Sequence, residues 1–311
     1  MATAVSLFSG CGGSDSGLHA AGHTVLMAND ILSYARDFYK KNLPETDFRL
    51  GDVRSIDTFP AADILVGCYP CQGFSQGGAR QANRAINYLY REFDRALRLI
   101  KPKAFIVENV SGMQRSDLSH LLKNQLTRFR LAGYKVNWKV LSAADYGVPQ
   151  ERRRLFLVGI RSDLGIKYEF PEPTHGEGRT NKGRTIKDAI GHLPLWPEGE
   201  YNKEEFHWYY LSRNRYRGWD ELSKTVVARA RHVNLHPVSP SLRRINTDKW
   251  EFIDDNPARR FSFRECALLQ GFAHDCEFPD TAGMSEKYKV VGNAVPPPLF
   301  EAVAKNIPDI W

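Results

Sequence analysis

Thr3-Ala4-Val5-Ser6-Leu7-Phe8-Ser9-Gly10-Cys11-Gly12-Gly13 is the stretch on which the fold turns. A short apolar run opens into a glycine-rich loop, and a helical pattern follows as far as Ala21. The order is therefore strand, glycine loop, helix. Without Cβ atoms in the way, a backbone of this kind approaches a nucleotide-like ligand closely, and open parallel sheets hold such ligands beyond the carboxyl ends of their strands. The same loop also reads as a plain tight turn, so its neighbours must decide.

Outward from this stretch, apolar runs alternate with helical patterns. Thr24–Ala28, Asp63–Gly67 and Ala104–Val107 read as further strands. Leu89, Phe93, Leu97 and Ile100 recur at helical spacing until Lys101-Pro102, and Leu118–Ala132 reads as an amphipathic helix ended by Gly133. This alternation predicts an α/β fold with a mostly parallel twisted sheet. Beyond Gly133 the period changes to two, with Tyr134, Val136, Trp138 and Val140 on one face. Arg154–Ile160 is the expected partner in an antiparallel edge pair. From about Ile166 to Pro257 proline, glycine, arginine and aromatics replace clean periodicity, which predicts a smaller loop-rich module. Regular patterning returns with a helix over Arg264–Leu269, a short strand over Tyr288–Val291 and a closing helix over Pro298–Asn306. The expected domains are 1–163 with 258–311, the C-terminal segment returning to the first body, and 164–257 between them.

A chain of 311 residues, 42% hydrophobic, is long enough for one large core and excludes a small disulfide-stapled scaffold. The net charge of +7 suits a polyanionic partner without establishing one. Five cysteines, at 11, 68, 71, 266 and 276, are an odd and sparse set that fits a reducing compartment. Met1–Phe8 lacks a positive leader region, and no apolar run reaches membrane-spanning length, so the expected location is cytoplasmic.

Two acids follow the glycine loop. Asp30, just beyond the second strand, stands where a carboxylate accepts from the two hydroxyls of a ribose, and Asp52 in Gly51-Asp52-Val53 is placed to accept from an adenine amino group. Each also reads as a helix cap or turn residue. Loop and acids in this order favour an adenosine-containing cofactor, with Gly10, Gly12 and Gly13 against it. Asp63–Gly67 then runs into Cys68-Tyr69-Pro70-Cys71-Gln72-Gly73-Phe74-Ser75, and the next strand ends in Glu108-Asn109-Val110. If those strands are neighbours, a loop cysteine and an acid share a pocket. A redox Cys-x-x-C, half a zinc site and a buried inert cysteine are the competing readings of Cys68 and Cys71.

Taken together, Phe8–Gly13, Pro70-Cys71-Gln72 with Phe74-Ser75, Glu108-Asn109-Val110 and Gln150-x-Arg152-x-Arg154 resemble the ordered motifs of the DNA cytosine-5 methyltransferases. Arg264-Glu265-Cys266-Ala267 with Leu269-Gln270-Gly271-Phe272, and Gly292-Asn293-Ala294-Val295-Pro296, continue the match over nearly the whole chain except the middle module. The resemblance is to a bacterial type II restriction-modification methyltransferase. It implies a Rossmann-like S-adenosylmethionine-dependent methyltransferase fold and a target recognition domain in the middle. By position it assigns Phe8, Asp30, Ile31, Asp52, Val53, Pro70, Leu89, Asn293 and Val295 to the cofactor, S-adenosyl-L-methionine, with S-adenosyl-L-homocysteine as product. Cys71, Glu108, Arg152 and Arg154 become catalytic or base-pocket residues. The thiolate of Cys71 adds to carbon 6 of cytosine, which makes carbon 5 nucleophilic, while Glu108 holds N3 and the exocyclic amine. A strand carrying both Arg152 and Arg154 turns them to one face, where they hold the flipped nucleotide. The chain departs from the family pattern at Tyr69, where many members carry a first proline, at Asp30, shorter than the usual glutamate, and at Ser6 in place of an aspartate.

The middle module supplies Arg213, Arg215 and Arg217 interleaved with Tyr216 and Trp219, then Arg229, Arg231 and His232, and then Arg243 and Arg244. Arginine suits phosphates and guanine edges alike. Gln72, Ser75, Arg213, Arg215, Arg217, Arg229 and Arg231 are the candidate DNA contacts. The expected partner is double-stranded DNA, from which the target base is rotated into the cysteine pocket while the glycine-rich Gly73–Ala85 stretch closes over it. A monomer working beside a restriction endonuclease without a stable complex is the expected assembly. A tRNA cytosine methyltransferase, though without the Cys-Phe-Thr motif such enzymes typically carry, and a catalytically silent DNA-binding relative are the alternatives.

Overall fold

The computed structural model describes residues 1–70, 85–114 and 119–311. They form two compact units: Met1–Ser142 with Arg153–Glu172 and Pro297–Trp311, and Ala143–Arg152 with Pro173–Pro296. The return of the C-terminus to the first unit is thus confined to 297–311. Residues 258–296, expected in the first body, belong to the second, as do 143–152.

The first unit runs β1 (Thr3–Leu7), α1 (Gly13–Ala20), β2 (Thr24–Asp30), α2 (Ser33–Asn42), β3 (Asp47–Leu50), β4 (Ile64–Gly67), α3 (Tyr90–Ile100), β5 (Ala104–Val110), α4 (Ser119–Leu131) and β6 (Tyr134–Ser142). After β7 (Gln150–Glu151) in the second unit, β8 (Arg153–Arg161) rejoins the sheet. Its strand order is β3-β2-β1-β4-β5-β8-β6. β1 to β5 pair in parallel, while β8 lies antiparallel between β5 and β6. The expected antiparallel pair therefore forms, with β6 alone at the edge.

Helices cover the sheet, so the inner strands read as unbroken apolar runs; Ala104 to Asn109 of β5 are all buried. One core face is aromatic. Phe105 stands edge-on to Phe129 at 5.1 Å and to Tyr134 at 5.3 Å between ring centres. Gly67, last in β4, lies so close under Phe93 that a Cβ there would sit 2.4 Å from the ring. This contact sets the depth at which β4 leaves the sheet.

In the second unit, α5 (Ile186–Ile190), β9 (Ser223–Lys224), β10 (Leu242–Asn246), β11 (Lys249–Phe252), α6 (Phe263–Gln270) and α7 (Met284–Asn293) are joined by long irregular segments. α8 (Pro297–Lys305) closes the chain in the first unit. Irregular backbone leaves carbonyls without ladder partners, and arginine, a pure donor, satisfies them. Buried Arg260 donates to Arg231, Asn202, Glu204 and Glu205 carbonyls. Buried Arg259 grips Glu265 through two bonds of 2.8 and 2.7 Å.

The strand expected over Tyr288–Val291 is helical, within α7. Glu286 accepts the Gly283 N–H at 2.9 Å and starts the helix, and Tyr288 and Val291, one turn apart, share its buried side. Two valines after a tyrosine raise strand propensity locally, but the cap and the burial of this face override it.

Candidate active site

β1 is the strand from which the chain departs in both directions, to β2 on one side and later to β4 on the other. Such a reversal leaves a crevice beyond the carboxyl ends of the two strands, the usual ligand position in open α/β sheets. The glycine loop leaves β1 here and residues 68–70 leave β4 beside it, Leu7 pairing with Gly67.

Left-handed backbone at Phe8, Gly10 and Gly12 (φ 59°, 55° and 88°) curls the loop. At Gly12 a Cβ would sit 3.0 Å from the Tyr39 ring and 2.9 Å from Leu43, so only glycine fits. Asp30 ends β2 and ties itself to the loop: one carboxylate oxygen accepts Gly10 N–H at 2.9 Å, the other Leu32 N–H at 3.0 Å. Burial raises its pKa, and these backbone donors oppose the shift. Each oxygen keeps a second lone pair for a hydroxyl donor. Ile31 beside it is 65% exposed, an apolar surface ready for a flat ring, while Val53 is buried. Asp52 accepts from the Arg54 backbone and guanidinium, bonds that lower its pKa, so any amino-group contact competes with Arg54. The donors and acceptors fit an adenosine-containing group.

The sequence reading missed an acid here. Asp15, wholly buried in the first turn of α1, accepts from the Ser6, Ser14 and Tyr39 hydroxyls at 2.6, 3.0 and 2.8 Å. Burial raises its pKa against the pull of these hydroxyls. Ser6, noted only as a departure, is the strand-end half of this arrangement. The signal was a small hydroxyl in place of an acid at a strand end, with an acid displaced into the following helix.

Glu108 and Arg154 come together. Val107 pairs with Gly67, so Glu108 lies level with the chain leaving β4. β8 enters antiparallel with Arg154 opposite Val110, and Arg154 Nε meets Glu108 Oε1 at 2.9 Å. Both side chains are nearly buried. Burial lowers the guanidinium pKa while Glu108 holds it up, which leaves the arginine charged.

Arg152 lies in the second unit. β8 begins at Arg153, so Arg152 and Arg154 do not alternate along one strand; Arg152 is buried in the second unit, donating to the Val226, Gly292 and Ala294 carbonyls. Gln150 of the same motif donates to Leu269 carbonyl and Gln270 Oε1 and accepts Val226 N–H. This half of the motif braces irregular backbone. Asn293 and Val295 also belong to the second unit, Asn293 exposed and Val295 buried.

Cys71, Gln72, Ser75 and residues 73–84 of the expected closing loop lie outside the described residues. Pro70 and Leu89, half-buried, stand on either side of them. Cys68 is described: burial first, then the Glu108 and Asp15 carboxylates, push its thiol well above the ordinary range. A redox Cys-x-x-C works by the opposite shift.

In the second unit, Arg213 and Arg229 are exposed. Arg215 donates to the Tyr210 and His232 carbonyls, Arg217 pairs with Glu151 at 3.3 Å, and Arg231 lies 3.3 Å from Glu204. No helix among the described residues is long and apolar enough to cross a membrane.

Residues 2–309 match the family described as C-5 cytosine-specific DNA methylase. The chain belongs to that family. It is accordingly a DNA (cytosine-5)-methyltransferase, with DNA as its class of substrate. Among its relatives, the type II methyltransferase M.BsuRI of Bacillus subtilis is 36% identical over 97% of this chain and 78% of its own length. M.FnuDI of Fusobacterium nucleatum is 37% identical over 97% and 93%. A DNA modification methyltransferase encoded within an E. coli prophage shares the fold at TM-score 0.74 and 20% identity, covering 98% of each chain. The S. pombe Dnmt2 methyltransferase does so at 0.70 and 18%, covering 98% of this chain and 97% of its own.

Proposed function

We propose that this chain methylates carbon 5 of cytosine within a specific double-stranded DNA sequence, through base flipping and a covalent Cys71 adduct at carbon 6. The observation that carries the reading is the Glu108–Arg154 pair at the carboxyl end of β5, level with the strand that leads to Cys71. A glutamate fixed by a guanidinium is suited to the edge of cytosine, one oxygen accepting from the exocyclic amine and the other, when it carries a proton, donating to N3, a pattern that thymine does not match. With the ring so held, Cys71 adds to carbon 6, and the electron pair displaced reaches carbon 5. S-adenosyl-L-methionine, when bound, supplies the methyl group. Loss of the carbon 5 proton then restores the double bond and expels the thiolate.

The cofactor would rest on the Phe8–Gly13 loop, with Asp30 toward its ribose and Ile31 against its adenine. The second unit would read the target, with Arg213, Arg229 and Arg231 among its exposed arginines. The likeness to named type II methyltransferases supports a role in protecting host DNA from a cognate restriction endonuclease.

The test is incubation with S-adenosyl-L-methionine and mixed-sequence DNA, followed by bisulfite sequencing. Methylcytosine should appear in one sequence context, and Cys71→Ala should abolish it. Retained methylation by that variant would remove Cys71 from the mechanism.

A further inference from the structure

Tyr69 stands where a proline would have stiffened the entry to the Cys71 loop through its ring. Its side chain, 4% exposed, holds that entry in another way. The phenol donates to Gln125 Oε1 at 2.6 Å, on α4 and 56 residues away in sequence. Asn109, next to Glu108, donates its amide to Tyr69 carbonyl at 3.2 Å. The ring packs edge-on against Phe8 of the glycine loop at 6.0 Å and, tilted, against Phe93 at 5.9 Å. One residue thus links the glycine loop and α4 through its side chain and the strand that carries Glu108 through its carbonyl.

We propose that Tyr69 is a positioning residue for methyl transfer, its bond to Gln125 fixing the segment that delivers Cys71 relative to Glu108. The proposal rests on Cys71 being the nucleophile. A hydrogen bond between two buried neutral groups gives little net stability, but it is directional, and misplacing a reacting atom by about 1 Å costs on the order of 100-fold in rate. The bond therefore matters more to rate than to binding or folding.

The experiment measures covalent adduct formation between the full-length enzyme and duplex DNA carrying 5-fluorocytosine in the target, at saturating S-adenosyl-L-methionine. It is paired with calorimetric Kd values for cofactor and DNA and with melting temperatures. Y69F should form adduct roughly 10- to 100-fold more slowly than wild type while both Kd values stay within about twofold. Q125L should do the same. The double variant, whose two buried partners are both apolar, should regain melting temperature yet stay as slow as Y69F. Single variants that melt earlier but form adduct at the wild-type rate would show an ordinary structural bond and overturn the proposal. No adduct with wild type would instead remove the nucleophile reading, and the proposal with it; wild type trapping while Y69F matches it rejects the Tyr69 role alone.

Discussion

The two units each bury an arginine–glutamate pair, and the pairs do different work. Arg259 and Glu265 meet through two parallel bonds inside a helix cap: Glu265 also accepts Ser262 N–H at 2.7 Å, and Arg259 also donates to the Leu195 and Arg260 carbonyls. Every one of these partners belongs to the second unit's own framework. Arg154 and Glu108 instead meet Nε to Oε1 near the carboxyl end of β5, Arg154 in the last residue pairing with that strand and Glu108 two residues before it. The first pair organises irregular chain; the second stands at the carboxyl end of the sheet. A buried ion pair is thus assigned by what surrounds it and by its exposure, since the distances are close, 2.9 and 2.7 Å, while the first unit's pair keeps 15% and 10% of its side chains exposed against 0% and 1% in the second.

Breaking each pair separates the two kinds. Glu108→Gln keeps shape and removes the charge that a cytosine edge would use, so single-turnover methylation should fall about 1,000-fold, with the melting temperature little changed. Equal losses of rate and stability would make Glu108 a structural residue like Glu265. Glu265→Ala should do the reverse. It strands Arg259 in the interior and removes the cap of α6, at a cost of about 3 kcal/mol in urea unfolding, while the DNA-independent affinity for cofactor at the first unit holds. A variant as stable as wild type would mean that the second unit does not depend on its buried charges.

The same contrast explains what could be read in advance. In the first unit, β1, β2, β4 and β5 announce themselves because burial on both faces demands continuous apolar runs, and α1, α3 and α4 follow from the patterns between and after them, while α2 (Ser33–Asn42) was not read. Glu108 and Cys68 follow because strand ends are where such runs stop. β3 (Asp47–Leu50) escaped notice because it is a short edge strand with half-exposed residues. In the second unit periodicity fails, since its backbone is held by side chains reaching across the sequence. Gln150 finds Leu269 and Gln270, and Arg152 finds Gly292 and Ala294; nothing local in Gln150-x-Arg152-x-Arg154 reveals this. Spacing by two suggested one strand, whereas β8 begins at Arg153, with Arg152 in the second unit and Arg154 in the first.

Asp15 sharpens the comparison from within the first unit, because it is a buried acid with hydroxyls for partners and no arginine. Burial raises its native pKa above the ordinary 3.8 despite three donated bonds. The folded state therefore holds this proton more tightly than the unfolded chain. Between the two pKa values the native form binds more protons, so stability falls as pH rises from the unfolded value through the native one. In D15N that proton exchange is absent, and the hydroxyls of Ser6, Ser14 and Tyr39 can reorient around the amide. The melting temperature of D15N should accordingly fall less than that of wild type as pH rises from the unfolded value of Asp15 through its raised native one. Parallel pH profiles would mean that the hydroxyls of Ser6, Ser14 and Tyr39 compensate the burial of Asp15 fully.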